Sequence, residues 1–203
     1  MADVERHEFF PTCIYRFKHD FKENELNNVV KHIEDNSLSE QNGQIIKRTG
    51  SQTQNELHKI DTFANLTKTI INATKSILDE QGYIGEVEIT NMWGNILRPQ
   101  SQRAHAPHTH SNNFLSGVFY LKTSDDTSPI QFFDPRPQSD VLKPRKKEYN
   151  RLNSNIAQFQ SETGWGVVFP SWLQHWVPET KDERMSIAWN IIVRGEYGEP
   201  NAL

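Results

Sequence analysis

His108-Thr109-His110, Leu115-Ser116-Gly117-Val118-Phe119-Tyr120-Leu121, Phe169-Pro170-Ser171-Trp172-Leu173-Gln174-His175 and Arg184-Met185-Ser186 stand in that order in the second half of the chain. Histidines two residues apart on an extended segment point to one face. Imidazole is a neutral ligand for Fe, Zn, Cu and Ni. A third histidine at the end of a distant strand, His175, completes a triangular set with His108 and His110. Arg184, on the strand that follows, carries a planar fork of donors suited to a carboxylate. His105 is three residues before His108, a spacing that turns away on a strand. It reads as a lid or neighbouring residue, or a solvated loop histidine, rather than a ligand.

Around these segments the apolar period is two from Glu86 onward. Strands are expected at Val87–Leu97, Leu115–Lys122, Ile130–Phe133, Asn155–Gln158, Trp165–Phe169 and Met185–Val193, joined by stretches carrying Pro, Gly, Asn and Asp. The first half reads differently. Phe10 to Phe17 is a short leading strand. Leu26, Val29, Val30 and Ile33 follow helical spacing, with Asp20 or a neighbour as cap. Ser37 to Asn55 is polar, contains Gly43 and Gly50, and reads as a long loop. Asp61 is placed to cap a second helix that buries Phe63, Leu66, Ile70, Ala73, Ile77 and Leu78 and ends at Gly82 and Gly85. The expected fold is mainly β with flanking helices: a double-stranded β-helix, or jelly roll, packed against N-terminal α-helices. A single domain over 1–203 is expected, with 1–85 as helical preface and support and 86–195 as the jelly-roll core.

The chain has 203 residues, 24% of them charged, and a net charge of -4. That is an ordinary surface, with no global basic excess to indicate nucleic acid. Five Trp, eleven Phe and five Tyr supply the apolar area for a core. The lone cysteine, Cys13, lies in an apolar stretch and reads as a buried, inert thiol. With no disulfide possible, a cytoplasmic location is expected. The N-terminus has no signal-peptide pattern, and no stretch reaches membrane-spanning length.

The set His108-Thr109-His110, Ser116 to Leu121, Phe132-Phe133-Asp134-Pro135-Arg136, Phe169 to His175 and Arg184-Met185-Ser186 resembles the 2-oxoglutarate/Fe(II) oxygenase superfamily. It looks most like a group of oxygenases found in bacteria and bacteriophages, and more distantly like prolyl hydroxylases. The resemblance spans roughly Asn91 to Val193. It implies an oxygenase that uses Fe(II), 2-oxoglutarate and O2, releases succinate and CO2, and hydroxylates a primary substrate that the sequence does not name. The host cytoplasm is the expected location if a phage encodes it. His108 and His175 would be metal ligands. Arg184 would pair with the distal carboxylate of 2-oxoglutarate, Ser186 would hydrogen-bond it, and Tyr120 would lie against it. No further catalytic side chain is expected beyond these ligands.

The sequence departs from the superfamily at His110, where the usual pattern has Asp or Glu. His110 is favoured as the third ligand, with water or Asp134 as the alternatives. Asn91, Trp93 and Asn95 share one strand face, and Asn95 is a candidate to bond co-substrate, bound water or substrate. Asp134-Pro135-Arg136 reads as a turn. Trp172 and Trp176 are expected to pack against His175 and fix its ring. The basic run from Lys143 to Lys147 is either a solvated loop or a clamp for an anionic or polymeric substrate. Two other classes stay open: a non-catalytic jelly-roll binding module, and a cupin-like three-histidine dioxygenase without 2-oxoglutarate. Neither needs a carboxylate anchor at Arg184 and Ser186.

Overall fold

Apolar residues at helical spacing bury one side of each of two helices, α1 (Glu23–Asn36) and α2 (Ala64–Gln81). The computed structural model describes residues 4–41, 44–47, 52–99 and 105–198. Val29 and Ile33 of α1 and Leu66, Ile70, Ile77 and Leu78 of α2 are buried as the spacing requires. Thr74, rather than Ala73, fills the remaining inner position, its hydroxyl donating to the Ile70 carbonyl. Neither expected cap forms. Lys22 holds the N-cap position of α1 without a side-chain bond, and Asp61 opens a 3-10 turn that precedes α2. The α2 C-terminus falls where expected. Gly82 adopts φ +73°, a left-handed conformation that glycine takes at no steric cost.

Within the stretch read as a loop, β2 (Leu38–Gln41) and β3 (Gln44–Lys47) pair antiparallel. This hairpin is made by backbone pairing, which polar composition does not report. Gly43 and Gly50 lie outside the described residues. The leading strand is shorter than expected, β1 at Tyr15–Lys18, and Cys13 is half-buried rather than buried.

The remaining strands are β4 (Glu86–Leu97), β5 (His105–His108), β6 (Leu115–Lys122), β7 (Ile130–Phe133), β8 (Ile156–Phe159), β9 (Trp165–Pro170), β10 (His175–Val177) and β11 (Arg184–Arg194). One sheet has the order β1-β9-β6-β11-β4 and a second the order β5-β10-β7-β8. From β4 to β7, and again from β8 to β11, the chain passes between these two sheets. Two antiparallel sheets face each other, as a jelly roll requires.

Strand alternation divides the apolar residues between two cores. Met185, Ile187, Trp189 and Ile191 of β11, with Leu115, Phe119 and Leu121 of β6, pack with Val29 and Ile33 of α1, Ile70 of α2 and Phe63 of the 3-10 turn before it. On the opposite face, Val118 and Tyr120 meet Ile130, Phe132, Val167 and Phe169 between the sheets. Strand β6 is therefore buried on both faces. Arg184, Ser186 and Asn190 alternate with the apolar residues of β11, and so a polar row faces the second sheet.

The helix-side core is tightest at Gly117. A Cβ there would lie 2.3 Å from Trp189 Cζ2 and 2.8 Å from the Val167 carbonyl oxygen. Trp189 is fully buried and the carbonyl belongs to a paired strand, so neither yields easily. Gly117→Ala is expected to cost about 2–3 kcal/mol by overpacking, lowering the melting temperature by roughly 4–12 °C. Thermal unfolding followed by circular dichroism checks this. Among the described residues, no helix is long and apolar enough to cross a membrane.

Candidate metal centre

Strand β10 runs antiparallel to both β5 and β7, with His175 opposite His108 on one side and Phe132 on the other. The last residue of β5, the first of β10 and the end of β7 therefore meet at one end of the sheet. His110, just beyond β5, is held there by its backbone N–H, which donates to the Ser171 carbonyl at 2.9 Å. One potential ligand atom from each of His108, His110 and His175 lies within 4.8 Å of the others.

The hydrogen bonds of two rings fix their tautomers. His108 Nδ1 lies 2.6 Å from the Ala106 carbonyl oxygen, and His175 Nδ1 lies 2.9 Å from that of Leu173. A carbonyl only accepts, so each Nδ1 carries a proton, which in a neutral ring leaves the lone pair on Nε2. His175 Nε2 and His110 Nε2 converge at 3.3 Å. Nitrogen ligands on neighbouring positions of a metal stand on the order of 3 Å apart, given bonds of about 2.1 Å. Burial lowers the pKa of His110 and of His175 to about 4. Both rings are neutral at neutral pH, the form a metal requires. The donor set fits a metal ion of the imidazole-binding class.

The ring of His175 is fixed by Phe169 and Phe132, at centroid distances of 4.6 and 5.9 Å. The two tryptophans expected in that role do something else. Trp172 is 57% exposed at the β9–β10 turn. Trp176 follows His175 on β10 and so faces the other side, where its Nε1 donates to Gln131 Oε1. Trp93 instead flanks His110 at 6.4 Å.

Arg184 is 1% exposed and shares the cavity with the three histidines. Its Nε donates to Ser161 Oγ and its Nη1 to Ser186 Oγ, each at 3.1 Å, and the guanidinium lies 4.8 Å from the centre of the Tyr120 ring. Glu183, its sequence neighbour, is paired instead with Arg98 and Lys122. Among the described residues no carboxylate faces Arg184. Nearby, Tyr120 Oη and Asn95 Oδ1 are buried without a hydrogen-bond partner. Asn95 lies opposite Ser186 across the β4–β11 ladder, and Tyr120 lies opposite Ser186 across the β6–β11 ladder. A buried cation without an anion, beside two orphaned polar atoms, is costly unless a polar anionic molecule completes it.

His105 belongs to this cavity, contrary to the strand-alternation argument. Val177 pairs with His105 while His175 pairs with His108, so β5 carries one extra residue over the same stretch of β10. That bulge returns His105 to the face of His108. Burial, with the nearby Arg184 charge, lowers its pKa to about 4. It is outside the three-histidine cluster and near the guanidinium.

Asp134 is engaged elsewhere. Arg136 donates to its two oxygens at 2.9 and 2.8 Å and holds its carboxyl down to about 2. Asn91 is also committed: it accepts from Asn190 Nδ2 at 2.8 Å, Asn190 Oδ1 accepts from Ser116 Oγ at 2.7 Å, and Ser116 Oγ lies 2.8 Å from Ser171 Oγ. This buried chain anchors the residue whose carbonyl holds His110. The supporting roles of Ser116, Ser161, Ser171 and Asn190 escaped the sequence reading, because a serine or asparagine in a strand or turn does not reveal by its spacing which group it will touch.

Residues 91–190 match the model of the family described as "Putative 2OG-Fe(II) oxygenase". No curated protein sequence matches the chain. The fold is similar to a Pseudomonas putida prolyl-4-hydroxylase, with a TM-score of 0.60 and 13% identity over 91% of this chain and 94% of the other. It is also similar to the viral collagen prolyl hydroxylase of Paramecium Bursaria Chlorella virus-1, solved with 2OG, at TM-score 0.54 and 12% identity over 90% and 96%. AviO1 of Streptomyces viridochromogenes gives 0.60 and 12% over 93% of each chain. The fold is one that these solved oxygenases share. Residues 91–190 carry the match to the 2OG-Fe(II) oxygenase family, and that match implies Fe(II) as metal and 2-oxoglutarate and O2 as co-substrates.

Proposed function

We propose that this oxygenase hydroxylates its primary substrate at a centre held by His108, His110 and His175, with 2-oxoglutarate anchored by Arg184, Ser186, Tyr120 and Asn95. Residues 1–85 then serve as support for a single catalytic domain. The observation that carries this reading is the buried Arg184 guanidinium, which faces the histidine cavity with hydroxyls around it and, among the described residues, no carboxylate. Bound together, Fe(II), 2-oxoglutarate and O2 supply oxidative decarboxylation to succinate and CO2, coupled to oxygen insertion into a substrate C–H bond. The protein's own part is positional. Ser161 and Ser186 orient the fork of Arg184, Tyr120 Oη and Asn95 gain the partner they lack, and the apolar wall of Val118, Ile130 and Phe169 keeps water from the reacting face.

His110 stands where most of the superfamily has a carboxylate. Asp134 does not take that place, because Arg136 holds it. Three neutral ligands leave the full charge of the metal to attract the anionic co-substrate. The same set also favours Cu(II) and Ni(II) over a site with one carboxylate. A reducing compartment such as the cytoplasm suits this chemistry and the lone Cys13.

The test is spectroscopic. Anaerobic addition of Fe(II) and then 2-oxoglutarate to the protein is expected to give the weak visible charge-transfer band of a chelated complex, and admission of O2 is expected to give succinate. A protein that binds Fe(II) but gives neither band nor succinate would be a cupin-like enzyme or a binding module instead.

A further inference from the structure

The chain leaves β7 at Asp134 and returns to β8 at Ile156, a long excursion for a connection between paired strands. Its root is closed by Asp134 N–H donating to the Asn155 carbonyl at 2.9 Å. Phe133, where it starts, is bonded through its N–H to the carbonyl of Gln174, the residue before His175. Because β10 is antiparallel to β5 and β7, this root and the histidine cluster lie at the same end of the sheet. The β9–β10 turn bearing exposed Trp172 is there too.

The composition of the excursion differs from that of the chain. Residues 134–155 carry six basic side chains (Arg136, Lys143, Arg145, Lys146, Lys147, Arg151) and three acidic ones (Asp134, Asp140, Glu148), against a net charge of -4 overall. Asp134 is neutralised by Arg136. Interleaved with the cations are Val141, Leu142, Tyr149 and Leu152, each more than 60% exposed. The far part is shaped by its own hydrogen bonds. Asn150 Oδ1 accepts from Leu152 N–H and Asn153 Oδ1 from Asn150 N–H, both at 2.9 Å, while Asn153 Nδ2 donates to the Glu148 carbonyl. The Lys146 ammonium sits 4.9 Å from the centre of the Tyr149 ring. Exposed apolar groups rimmed by polar residues, here mostly cationic, mark a docking surface.

We propose that the 134–155 excursion, with Trp172, docks an acidic polypeptide segment bearing apolar side chains and delivers it to the metal centre as primary substrate. The proposal rests on the oxygenase reading of that centre. The chemistry favours a polypeptide over nucleic acid. Single-stranded nucleic acid needs several stacking rings along a cationic groove. Here the proposed surface offers two rings, Trp172 and Tyr149, the second with Lys146 already over it, and the aliphatic Val141, Leu142 and Leu152 offer nothing to phosphates. Outside the excursion the chain is net acidic, which opposes a long polyanion but tolerates a short acidic stretch.

The test uses fluorescein-labelled poly(Glu,Tyr) and a fluorescein-labelled oligothymidylate of similar length, followed by anisotropy at low and moderate salt. The wild-type protein is expected to bind the copolymer more tightly than the oligonucleotide. Arg145→Glu/Lys146→Glu/Lys147→Glu should weaken copolymer binding at least about tenfold, with the loss reduced as salt rises. Leu142→Ser/Leu152→Ser should weaken it severalfold with little salt dependence. All of these side chains are exposed, and unchanged circular dichroism and melting confirm folding. Arg184→Ala, which disables co-substrate binding, should bind the copolymer like wild type. Equal copolymer affinity in the charge-reversed and wild-type proteins would overturn the proposal, as would tighter binding of oligothymidylate. A wild type that gives the 2-oxoglutarate charge-transfer band but ignores the copolymer sinks the docking surface alone. Loop-dependent copolymer binding without that band sinks the oxygenase centre instead.

Discussion

Arg184→Ala is expected to weaken 2-oxoglutarate binding by about 2–5 kcal/mol, roughly 30- to 5,000-fold, while Fe(II) binding persists. The guanidinium is buried, so bonds from it to a carboxylate would form away from competing water. Arg184→Lys keeps the charge and loses the fork, and its affinity should fall between the two. Tyr120→Phe and Ser186→Ala each remove one hydrogen bond to a charged group and should cost about 0.5–3 kcal/mol. His105→Ala should also cost less than Arg184→Ala. Titration of 2-oxoglutarate into Fe(II)-loaded protein under anaerobic conditions measures all five. A second readout separates function from folding. Without co-substrate, the partners of this desolvated cation among the described residues are two serine hydroxyls and a ring face. Arg184→Met should therefore melt at or above the wild-type temperature in the ligand-free protein. Wild-type 2-oxoglutarate affinity in Arg184→Ala would remove the anchor role.

The second large effect lies at the histidines. His175→Ala and His108→Ala are each expected to abolish stoichiometric Fe(II) binding, a loss of at least about 100-fold, since removing a ligand exceeds the 10–100-fold typical of its supporting partners. His110→Ala should also weaken binding, and more than His105→Ala does. His110→Asp restores an oxygen ligand and should retain Fe(II) and 2-oxoglutarate while shifting preference away from Cu(II) and Ni(II). Asp134→Asn should leave metal affinity unchanged, because its carboxylate is held by Arg136. Metal competition titrations decide among these. An unchanged preference in His110→Asp would mean that His110 is not a ligand.

Periodicity exposed the long elements well. The 3.6-residue spacing of Val29, Ile33, Ile70 and Ile77 and the two-residue alternation of β4 and β11 each reflect a face buried against the same apolar core. Short elements escaped. β5 and β10 have four and three residues, too few to show a period, and each contributes a histidine instead of an apolar signal. His105 was misdirected by the bulge, since an inserted residue reverses every alternation argument that crosses it. The pairing of Asp134 with Arg136 was equally hidden, because a turn brings together charges that spacing alone cannot assign. The His108, His110, His175 and Arg184 set was legible because its residue types are chemically distinctive. Their supports, Ser161, Ser171 and Asn190, are common residues whose importance arises only from whom they touch.

The division of the binding groups between the two sheets has a dynamic consequence. The histidines belong to the four-stranded sheet or the turn beside it, whereas Arg184, Ser186, Tyr120 and Asn95 belong to the five-stranded one. β6 lies at the centre of the five-stranded sheet and is covered on both sides, so its amides open only with the whole domain. The small sheet has β5 and β8 at its edges and fewer strands behind which to shelter. In the proposed binding mode, a molecule held by metal at one end and by the Arg184 guanidinium at the other would join the two sheets like a rivet. Hydrogen exchange should accordingly slow on β5 and β10 when Fe(II) and 2-oxoglutarate are both present, while β6 stays as it was.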